Sequence, residues 1–166
     1  MIEIREEQPD DVAAIRAVNE RAFAQSQEAN IVDALRANGA AMLSLVAIVD
    51  GHIAGHIMYS PIEVGGVIGA ALGPMAVLPE HQRQGIGSRL VEAGTKRLST
   101  GGVPVVVVLG HPAFYPRFGF EPASRFEVTC EWPVPDEVFM MLVLDQARMA
   151  GVTGMARYRP EFSTVG

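Results

Sequence analysis

A turn with two glycines, placed between a strand-like segment and a helical pattern, is the part of this sequence best suited to chemistry. The apolar run that ends at Leu78 is followed by a polar connection, by Gln82-x-x-Gly85-x-Gly87, and then by helical periodicity. Glycine lets other groups approach the backbone closely. The first N–H groups of a helix have no internal partner and lie at the positive end of the helix dipole. The turn therefore predicts a cradle for a phosphate-containing ligand.

Two common nucleotide motifs are missing from this segment. Gly85-Ile-Gly87-Ser-Arg-Leu90 lacks the third glycine of the dinucleotide-binding fingerprint, and no acid follows at the expected distance. The sequence also lacks the Gly-x-x-x-x-Gly-Lys-Ser/Thr pattern of nucleotide-hydrolysing proteins. Hydride transfer and nucleotide hydrolysis are therefore disfavoured, although a glycine turn by itself often serves only to reverse the chain.

Two histidines and one tyrosine could move a proton near such a ligand. His52 and His56 alternate with isoleucines, so a regular strand would place both on one face. A histidine facing a cleft could accept a proton near neutral pH, or it could be a hydrogen-bonded structural residue. His56 is the better candidate base because it lies deeper in the strand. Tyr115 has three phenylalanines within five residues of it, and these residues alone favour aromatic packing.

The elements that must position these residues are expected in the order β-α-α-β-β-β-α-β-α-β-β. Alternating or continuous apolar runs predict the strands, and apolar residues at helical spacing predict the helices. Strands are expected at 2–5, 43–49, 52–59, 67–78, 104–109, 121–129 and 138–144. Helices are expected at 9–23, at 28–36, from the Gln82 segment to Gly101-Gly102 and, as a short one, at 111–118.

This element order predicts a mixed α+β fold with a central sheet and helices on both faces. The strand from Pro104 to Leu109 is nearly all β-branched and apolar, which is typical of a strand covered on both sides. We expect one domain over residues 1–166, with a core at about 2–145. The tail, 146–166, is expected to be loosely structured, with Tyr158 and Phe162 as anchors.

Composition limits the partners and the location of the protein. The chain has 166 residues, 49% hydrophobic and 19% charged, with a net charge of −6. This charge disfavours nonspecific binding to nucleic acid or to an anionic membrane. The lone Cys130 excludes an internal disulfide and fits a reducing compartment, and the start does not resemble a signal peptide. We expect a cytoplasmic protein. We predict no metal site, since histidines four apart on a strand are too distant to share an ion.

Two landmarks resemble the GNAT superfamily of N-acetyltransferases. Gln82-x-x-Gly85-x-Gly87 is similar to its acetyl-CoA motif, Gln/Arg-x-x-Gly-x-Gly/Ala, and Tyr115-Pro-Arg-Phe-Gly-Phe120 is similar to its Tyr-x-x-x-Gly-Phe motif. Their separation and the element order also match, over at least residues 2–144. Hallmarks of the YhbS-like branch occur at Ser60-Pro61, Leu72-Gly-Pro74 and Leu109-Gly-His-Pro112. The resemblance implies a mostly antiparallel mixed sheet, splayed between the fourth and fifth strands.

The resemblance also implies acetyl-CoA as the co-substrate. Its pantetheine arm would lie along the strand at Ala76 to Leu78, and its pyrophosphate would bind backbone amides from Gln84 through Arg89. Many members of the family have an asparagine ahead of the tyrosine helix, where this chain has Gly110-His111-Pro112. The predicted cofactor-binding residues are Met75, Ala76, Val77, Leu78, Gln82, Arg83, Gln84, Gly85, Ile86, Gly87, Ser88, Arg89, His111, Phe114 and Tyr115.

Within this resemblance, Tyr115 becomes the acid that protonates the leaving thiolate, and a backbone N–H near Val77 would stabilise the oxyanion. His56 remains a candidate base, together with Glu28, which begins a helix that borders the acceptor site in this family. Glu63 is the less favoured acid because it belongs to a predicted hairpin.

The resemblance predicts direct acetyl transfer to a primary amine through a ternary complex. The alternatives are a non-catalytic acyl-CoA-binding or regulatory module and an acyltransferase that uses a longer acyl-CoA. The acceptor site would be built around 23–31 and 132–137, and a homodimer is plausible by resemblance alone. The sequence does not identify the amine.

Overall fold

The computed structural model describes residues 1–164, which form one nine-stranded sheet and four α-helices joined by short 3-10 turns. The strands are β1 (Ile2–Glu6), β2 (Leu43–Val49), β3 (His52–Val64), β4 (Val67–Val77), β5 (Val105–Leu109), β6 (Glu121–Pro122), β7 (Val128–Cys130), β8 (Phe139–Val143) and β9 (Gly154–Arg157). The helices are α1 (Val12–Phe23), α2 (Gln27–Ala37), α3 (Ile86–Thr100) and α4 (Gln146–Met149).

The main path of the sheet runs β1-β2-β3-β4-β5-β8-β6. Its neighbours are antiparallel except for β4 and β5, which are parallel. The parallel pairing covers only three positions, from Ala70 opposite Val106 to Leu72 opposite Val108. Beyond Leu72 the two strands separate. The predicted mixed fold and its splay between the fourth and fifth strands are therefore confirmed.

A bulge in β4 accompanies this separation. Ile57 of β3 pairs with Met75 and Tyr59 pairs with Leu72, so β4 carries one residue more than β3 over this interval. An extra residue bends the strand that contains it. The bend lies at Gly73-Pro74, and Pro74 has no N–H with which to continue a ladder toward β5.

Helices cover the sheet on both faces. On one face, Ile86 and Leu90 of α3 pack with Leu45, Ile57 and the aromatic residues below them. On the other face, α1 and α2 contribute Ile15, Val32 and Leu35 to a second cluster with Met58 of β3. Successive valines of β5 enter different clusters, with Val106 and Val108 on the α3 side and Val105 and Val107 in a third cluster. The prediction that this strand is covered on both sides is confirmed.

Three local expectations were wrong. The strand predicted at 121–129 is broken, since Pro122 cannot donate a hydrogen bond and Glu127 has a left-handed backbone with φ 57. The short helix at 111–118 is reduced to a 3-10 turn at Tyr115–Phe118. The strand β3 continues through Pro61 because β2 ends opposite Tyr59, which leaves that edge of β3 unpaired at the proline.

The described part of the tail, 146–164, is ordered rather than loosely structured. The strand β9 pairs in antiparallel fashion with the end of β3 and in parallel fashion with β7. These ladders use backbone groups far apart in sequence, so the Gly and Pro content of the tail did not reveal them. Tyr158 and Phe162 pack as anchors, with ring centroids 5.2 Å apart. No helix within residues 1–164 is both long and apolar enough to cross a membrane.

Candidate active site

The glycine turn presents a row of unused backbone donors. Arg83 and Gly85 have left-handed conformations, with φ 63 and φ 84, and α3 begins directly after them. The first helical hydrogen bond runs from the N–H of Arg89 to the oxygen of Gly85, at 3.1 Å. Within residues 1–164, the N–H groups of 83–88 donate to no acceptor. Such a concave run of amides at a helix N-terminus binds anions.

The end of β4 offers a backbone edge next to this turn. Here β4 pairs with β3 alone, and the N–H of Leu78 donates to the oxygen of Ala54 at 2.8 Å. Since donors alternate along a strand, the N–H of Val77 is directed away from β3 and toward the gap left by β5. The side-chain amide of Gln82 donates to the oxygen of Val77 at 3.0 Å. Gln82 thus holds the end of β4 and does not point its amide at the glycine turn.

A cavity of about 680 Å³ lies where β4 and β5 separate. It is bounded by both strands, by the segment between α1 and α2, and by the tail. Its lining residues are Phe23, Glu28, Ile31, Leu72, Gly73, Pro74, Met75, Val108, Leu109, Gly110, His111, Tyr115, Trp132, Tyr158, Phe162 and Ser163. The predicted acceptor segments around 23–31 and 132–137 both contribute to this list.

Tyr115 is packed and also faces the cavity. It is 6% exposed, and its ring makes edge contacts with Phe114 at 5.0 Å and Phe120 at 5.6 Å between centroids. A Cβ on Gly110 would lie 2.3 Å from the Tyr115 ring, so only glycine leaves room for it there. Burial raises the pKa of Tyr115 to about 12. The phenol therefore stays protonated at neutral pH and is suited to act as an acid.

His56 does not reach the cavity, and the expectation that it faces the cleft was wrong. It is fully buried, and its Nδ1 accepts from the amide of Asn19 at 3.2 Å. The second hydrogen of that amide is taken by the oxygen of Ile15, which fixes the orientation of Asn19. The Nε2–H of His56 donates to Ser44 Oγ at 2.9 Å. His56 is thus held as a neutral imidazole beneath α1.

A bulge between β2 and β3 also overturns the expectation that His52 and His56 share one face. Ala47 pairs with Gly55 but Ile48 pairs with Ile53, so one residue of β3 is inserted and the alternation shifts. Ile53 and His56 therefore share the α1–α2 face although they are three residues apart. Desolvation by burial lowers the pKa of His56 to about 4, against the opposing charge of Glu7.

The Glu7 carboxylate ends this buried polar chain. It accepts from Ser44 Oγ at 2.7 Å and from two nitrogens of Arg36 at 2.8 Å each. Burial opposes ionisation of Glu7, but the hydrogen bonds from Arg36 and Ser44 hold the pKa of this carboxyl below its ordinary value. This series of hydrogen-bonded side chains is structural, since it connects the end of β1 with β2, β3, α1 and α2 away from the cavity.

Glu28 is the candidate base that the structure does bring to the cavity. It lies in the first turn of α2, is half-buried, and lines the cavity together with Tyr115. Its carboxylate accepts from the side-chain amide of Gln25 at 3.0 and 3.1 Å. Glu63 lies on β3 opposite Arg157 of the tail and does not line the cavity.

The predicted cofactor residues lie around the end of β4, where it separates from β5. A Cβ on Gly87 would lie 3.6 Å from Met75 and 3.7 Å from Phe114, so the helix start adjoins both the gap and the Tyr115 segment. Ile86 offers only its N–H, since its side chain is buried in the core. Arg83 and Arg89 are exposed beside the turn. His111 lines the cavity.

The sequence did not assign the tail to the site. Tyr158, Phe162 and Ser163 form one side of the cavity. The only hint was the presence of two aromatic residues in a segment rich in Gly and Pro. No group of three His, Cys, Asp or Glu residues in the described part of the chain could hold a metal ion.

Comparison with known proteins identifies the family. A family model described as an acetyltransferase (GNAT) domain matches residues 41–122. An uncharacterized N-acetyltransferase of Escherichia coli K12, YhbS, is 37% identical over 163 residues, which cover 96% of this chain and 98% of that protein. The chain belongs to the GNAT family of N-acetyltransferases. Membership of the family makes this GNAT protein an acyltransferase, as the resemblance implied.

Two solved structures of relatives contain the expected ligands. The crystal structure of E. coli YhbS in complex with CoA is 36% identical to this GNAT protein, with a TM-score of 0.94, and the match covers 99% of this chain and 93% of that one. A GNAT family acetyltransferase of Brucella melitensis in complex with acetyl-CoA is 37% identical, with a TM-score of 0.81 and 98% of both chains covered.

Proposed function

We propose that this GNAT protein transfers the acetyl group of acetyl-CoA directly to a primary amine. The observation that carries the proposal is the row of unpartnered N–H groups at 83–88, placed beside the separation of β4 from β5. The relatives that bind CoA and acetyl-CoA support the same co-substrate.

The residues of the site fit acetyl-CoA. The amides of the glycine turn would hold the pyrophosphate, each charge-assisted contact contributing about 1.5–3 kcal/mol. The free edge of β4 at Met75 to Val77 would align the pantetheine arm through backbone hydrogen bonds. Arg83 and Arg89 are exposed beside the turn, where a further phosphate of the nucleotide could be bound. Most of these contacts come from the backbone and anchor the ligand rather than perform chemistry.

The acyl transfer requires an amine, an oxyanion donor and an acid. The lone pair of the neutral amine nitrogen forms a bond to the thioester carbonyl carbon, and the N–H of Val77 stabilises the oxygen as it becomes negative. The carbon–sulfur bond then breaks, and the thiolate takes the proton of the Tyr115 hydroxyl. Tyr115 recovers a proton from water after product release.

The amine must lose a proton in this reaction. Glu28 is the carboxylate that faces the cavity, and we assign it the role of accepting that proton. His56 is excluded from this role in the proposal because both of its ring nitrogens are engaged inside the fold. Proximity in the cavity supplies much of the rate enhancement, since the acyl donor and the acceptor amine are held together.

The test measures amine-dependent release of thiol from acetyl-CoA, for the wild-type protein and for Tyr115→Phe. We expect the substitution to lower turnover at least 100-fold, as removal of a general acid does, and to leave the dissociation constant of acetyl-CoA within twofold. Calorimetric titration gives the dissociation constant, and a coupled thiol assay gives turnover across a panel of amines.

Tyr59→Phe is the matched control. This tyrosine is buried, its hydroxyl has no hydrogen-bond partner in the described residues, and it does not line the cavity. Loss of its hydroxyl should leave turnover within twofold of wild type. Acetyl-CoA binding without thiol release for any amine would instead favour a binding module. Release only from longer acyl-CoA would favour a different acyl donor, and an active Tyr115→Phe would remove Tyr115 as the acid.

A further inference from the structure

One side of the cavity is aromatic. Trp132 and Tyr158 lie with ring centroids 4.7 Å apart and planes tilted by 33°, and Tyr158 meets Phe162 edge-on at 5.2 Å. We call these three residues the aromatic wall. Phe23 and Ile31 also line the cavity. Burial raises the pKa of Tyr158, so its phenol stays neutral and contributes its ring rather than a charge.

The aromatic wall is fixed in place before any ligand binds. The backbone N–H of Tyr158 donates to the Glu131 carboxylate at 2.6 Å, and the preceding strand β9 is held by β3 and β7. After it, Asn38 at the end of α2 donates to the Glu161 carboxylate at 2.7 Å. A rigid apolar surface favours binding because little side-chain freedom remains to be lost.

Among the described residues that line the cavity, Glu28 is the only Asp, Glu, Lys or Arg, and His111 is the only histidine. Within residues 1–164, no lysine or arginine lies within 4 Å of its carboxylate, and the side-chain partner of that carboxylate is the neutral amide of Gln25. A carboxylate at the border of an apolar cavity attracts a cation. Aromatic faces also attract ammonium groups, so both features favour the same charge.

The described lining of the cavity has no permanently charged cation to pair with an anion. No lysine or arginine is among the residues that line it. A carboxylate or phosphate on the acceptor would lose its water without gaining a cation, which is costly. In a polyamine, two or more ammonium groups would compete for the single carboxylate of the lining, so at least one of them would have no partner there.

From these observations we infer that the acceptor is an apolar amine with one positive charge, its hydrocarbon body against the aromatic wall and its ammonium beside Glu28. This inference rests on the proposed function and adds the class of substrate. Glu28 holds the ammonium, which gives one proton to the surrounding water and so becomes the nucleophilic amine. Glu28 then accepts the second proton, which the nitrogen loses as the amide forms.

The sequence supplies its own reporter for this site, because Trp132 is the only tryptophan of the chain. We propose to titrate the full chain with phenethylamine and with its N,N,N-trimethyl derivative, which cannot be acetylated, and to follow tryptophan fluorescence. Both should shift the emission and saturate. Phenylalanine, which adds a carboxylate, and spermidine, which adds charges, should bind at least tenfold more weakly. The same order is expected in kcat/KM with acetyl-CoA.

Variants separate the two features of the site. Phe162→Ala should weaken phenethylamine binding at least tenfold and leave the acetyl-CoA dissociation constant unchanged. Glu28→Gln should weaken binding of the trimethyl derivative, which has no proton to give, so that this loss reports charge and not catalysis. The control is Glu92→Gln, an exposed carboxylate on α3 that does not line the cavity.

The outcomes distinguish this inference from the proposed function. Saturable binding of phenethylamine without acetylation supports the inference and overturns the function. Acetylation restricted to hydrophilic or acidic amines, with no change in fluorescence, supports the function and overturns the inference. Equal affinities of wild type, Phe162→Ala and Glu28→Gln for the trimethyl derivative also overturn it.

Discussion

At the scale of single residues, the site uses few side chains and much backbone. Tyr115 and Glu28 face the cavity, while the predicted anion cradle consists of backbone N–H groups. The sequence indicated Tyr115 because its frame to Gly119 and Phe120 matches a family motif. It misplaced His56, because α1 covers the face of β3 on which this histidine lies. It also placed His52 on the same face, since alternation alone carries no sign of the residue inserted between them.

The buried His56 makes stability depend on pH. Its pKa is about 4 in the folded protein and about 6.5 in an unfolded chain. Below pH 6.5 the unfolded chain binds a proton that the folded protein does not, so stability falls as pH decreases toward 4. The slope is about 1.4 kcal/mol per pH unit. We expect the free energy of unfolding to lose about 2 kcal/mol from this group between pH 7.5 and 5.

Denaturant titrations at these two pH values measure the effect. His56→Gln keeps a polar side chain but removes the titration, so its loss of stability between the two pH values should be about 2 kcal/mol smaller than that of wild type. His52→Gln provides the control, because His52 is exposed at the start of β3. If all three proteins lose the same free energy, His56 does not titrate as described.

At the scale of elements, β4, the glycine turn and the start of α3 form one unit, which contains most of the predicted cofactor-binding residues. This unit was predictable because each part has a local signal: an apolar run, glycines with left-handed backbone, and helical periodicity. The tail was not predictable in the same way, since β9 is stabilised by β3 and β7, more than ninety and about twenty-five residues away in the sequence. Short strands that depend on such pairings have weak signals of their own.

Side chains of increasing size at the start of α3 test whether acetyl-CoA binds at the glycine turn. Gly87 adjoins Met75 and Phe114, and a Cβ there would make ordinary contacts at 3.6 and 3.7 Å. Gly87→Ala should therefore fold normally and bind acetyl-CoA nearly as well as wild type. Gly87→Trp should fill the approach to the amides and raise the dissociation constant about 100-fold, which corresponds to about 2.7 kcal/mol.

Isothermal titration of both Gly87 variants checks this expectation, and circular dichroism confirms that each is folded. Both variants replace the glycine by a residue that has a Cβ, and they differ in the size of the side chain. The alanine variant therefore isolates the steric effect of the indole. Intact binding by the folded Gly87→Trp protein would mean that the anion is held elsewhere.

At the scale of the whole molecule, the cavity is assembled from distant parts of the chain. Its walls come from the α1–α2 segment, the end of β4, the end of β5, Trp132 and the tail. The sequence indicated some of these segments but not their mutual distances, which arise from tertiary packing. For this reason the cofactor could be predicted from local motifs, whereas the chemistry of the acceptor became readable from the three-dimensional arrangement.

The separation of β4 from β5 leaves an open seam in an otherwise continuous sheet. Hydrogen exchange detects such a separation, because an amide hydrogen without an internal hydrogen-bond acceptor is replaced by deuterium far faster than one in a β-ladder. In the free protein, amides near Val77 and in the glycine turn should therefore exchange early, while β2, paired on both sides, should exchange late.

Acetyl-CoA would close this seam by supplying the hydrogen-bonding partner that the chain itself omits. Deuterium uptake by peptides covering 73–89 should slow at least tenfold at saturating acetyl-CoA, and peptides from β2 should change little. Uniform slowing would indicate general stabilisation of the fold instead. The ligand that this GNAT protein consumes would then also complete its sheet, so that each turnover opens and closes the same stretch of backbone.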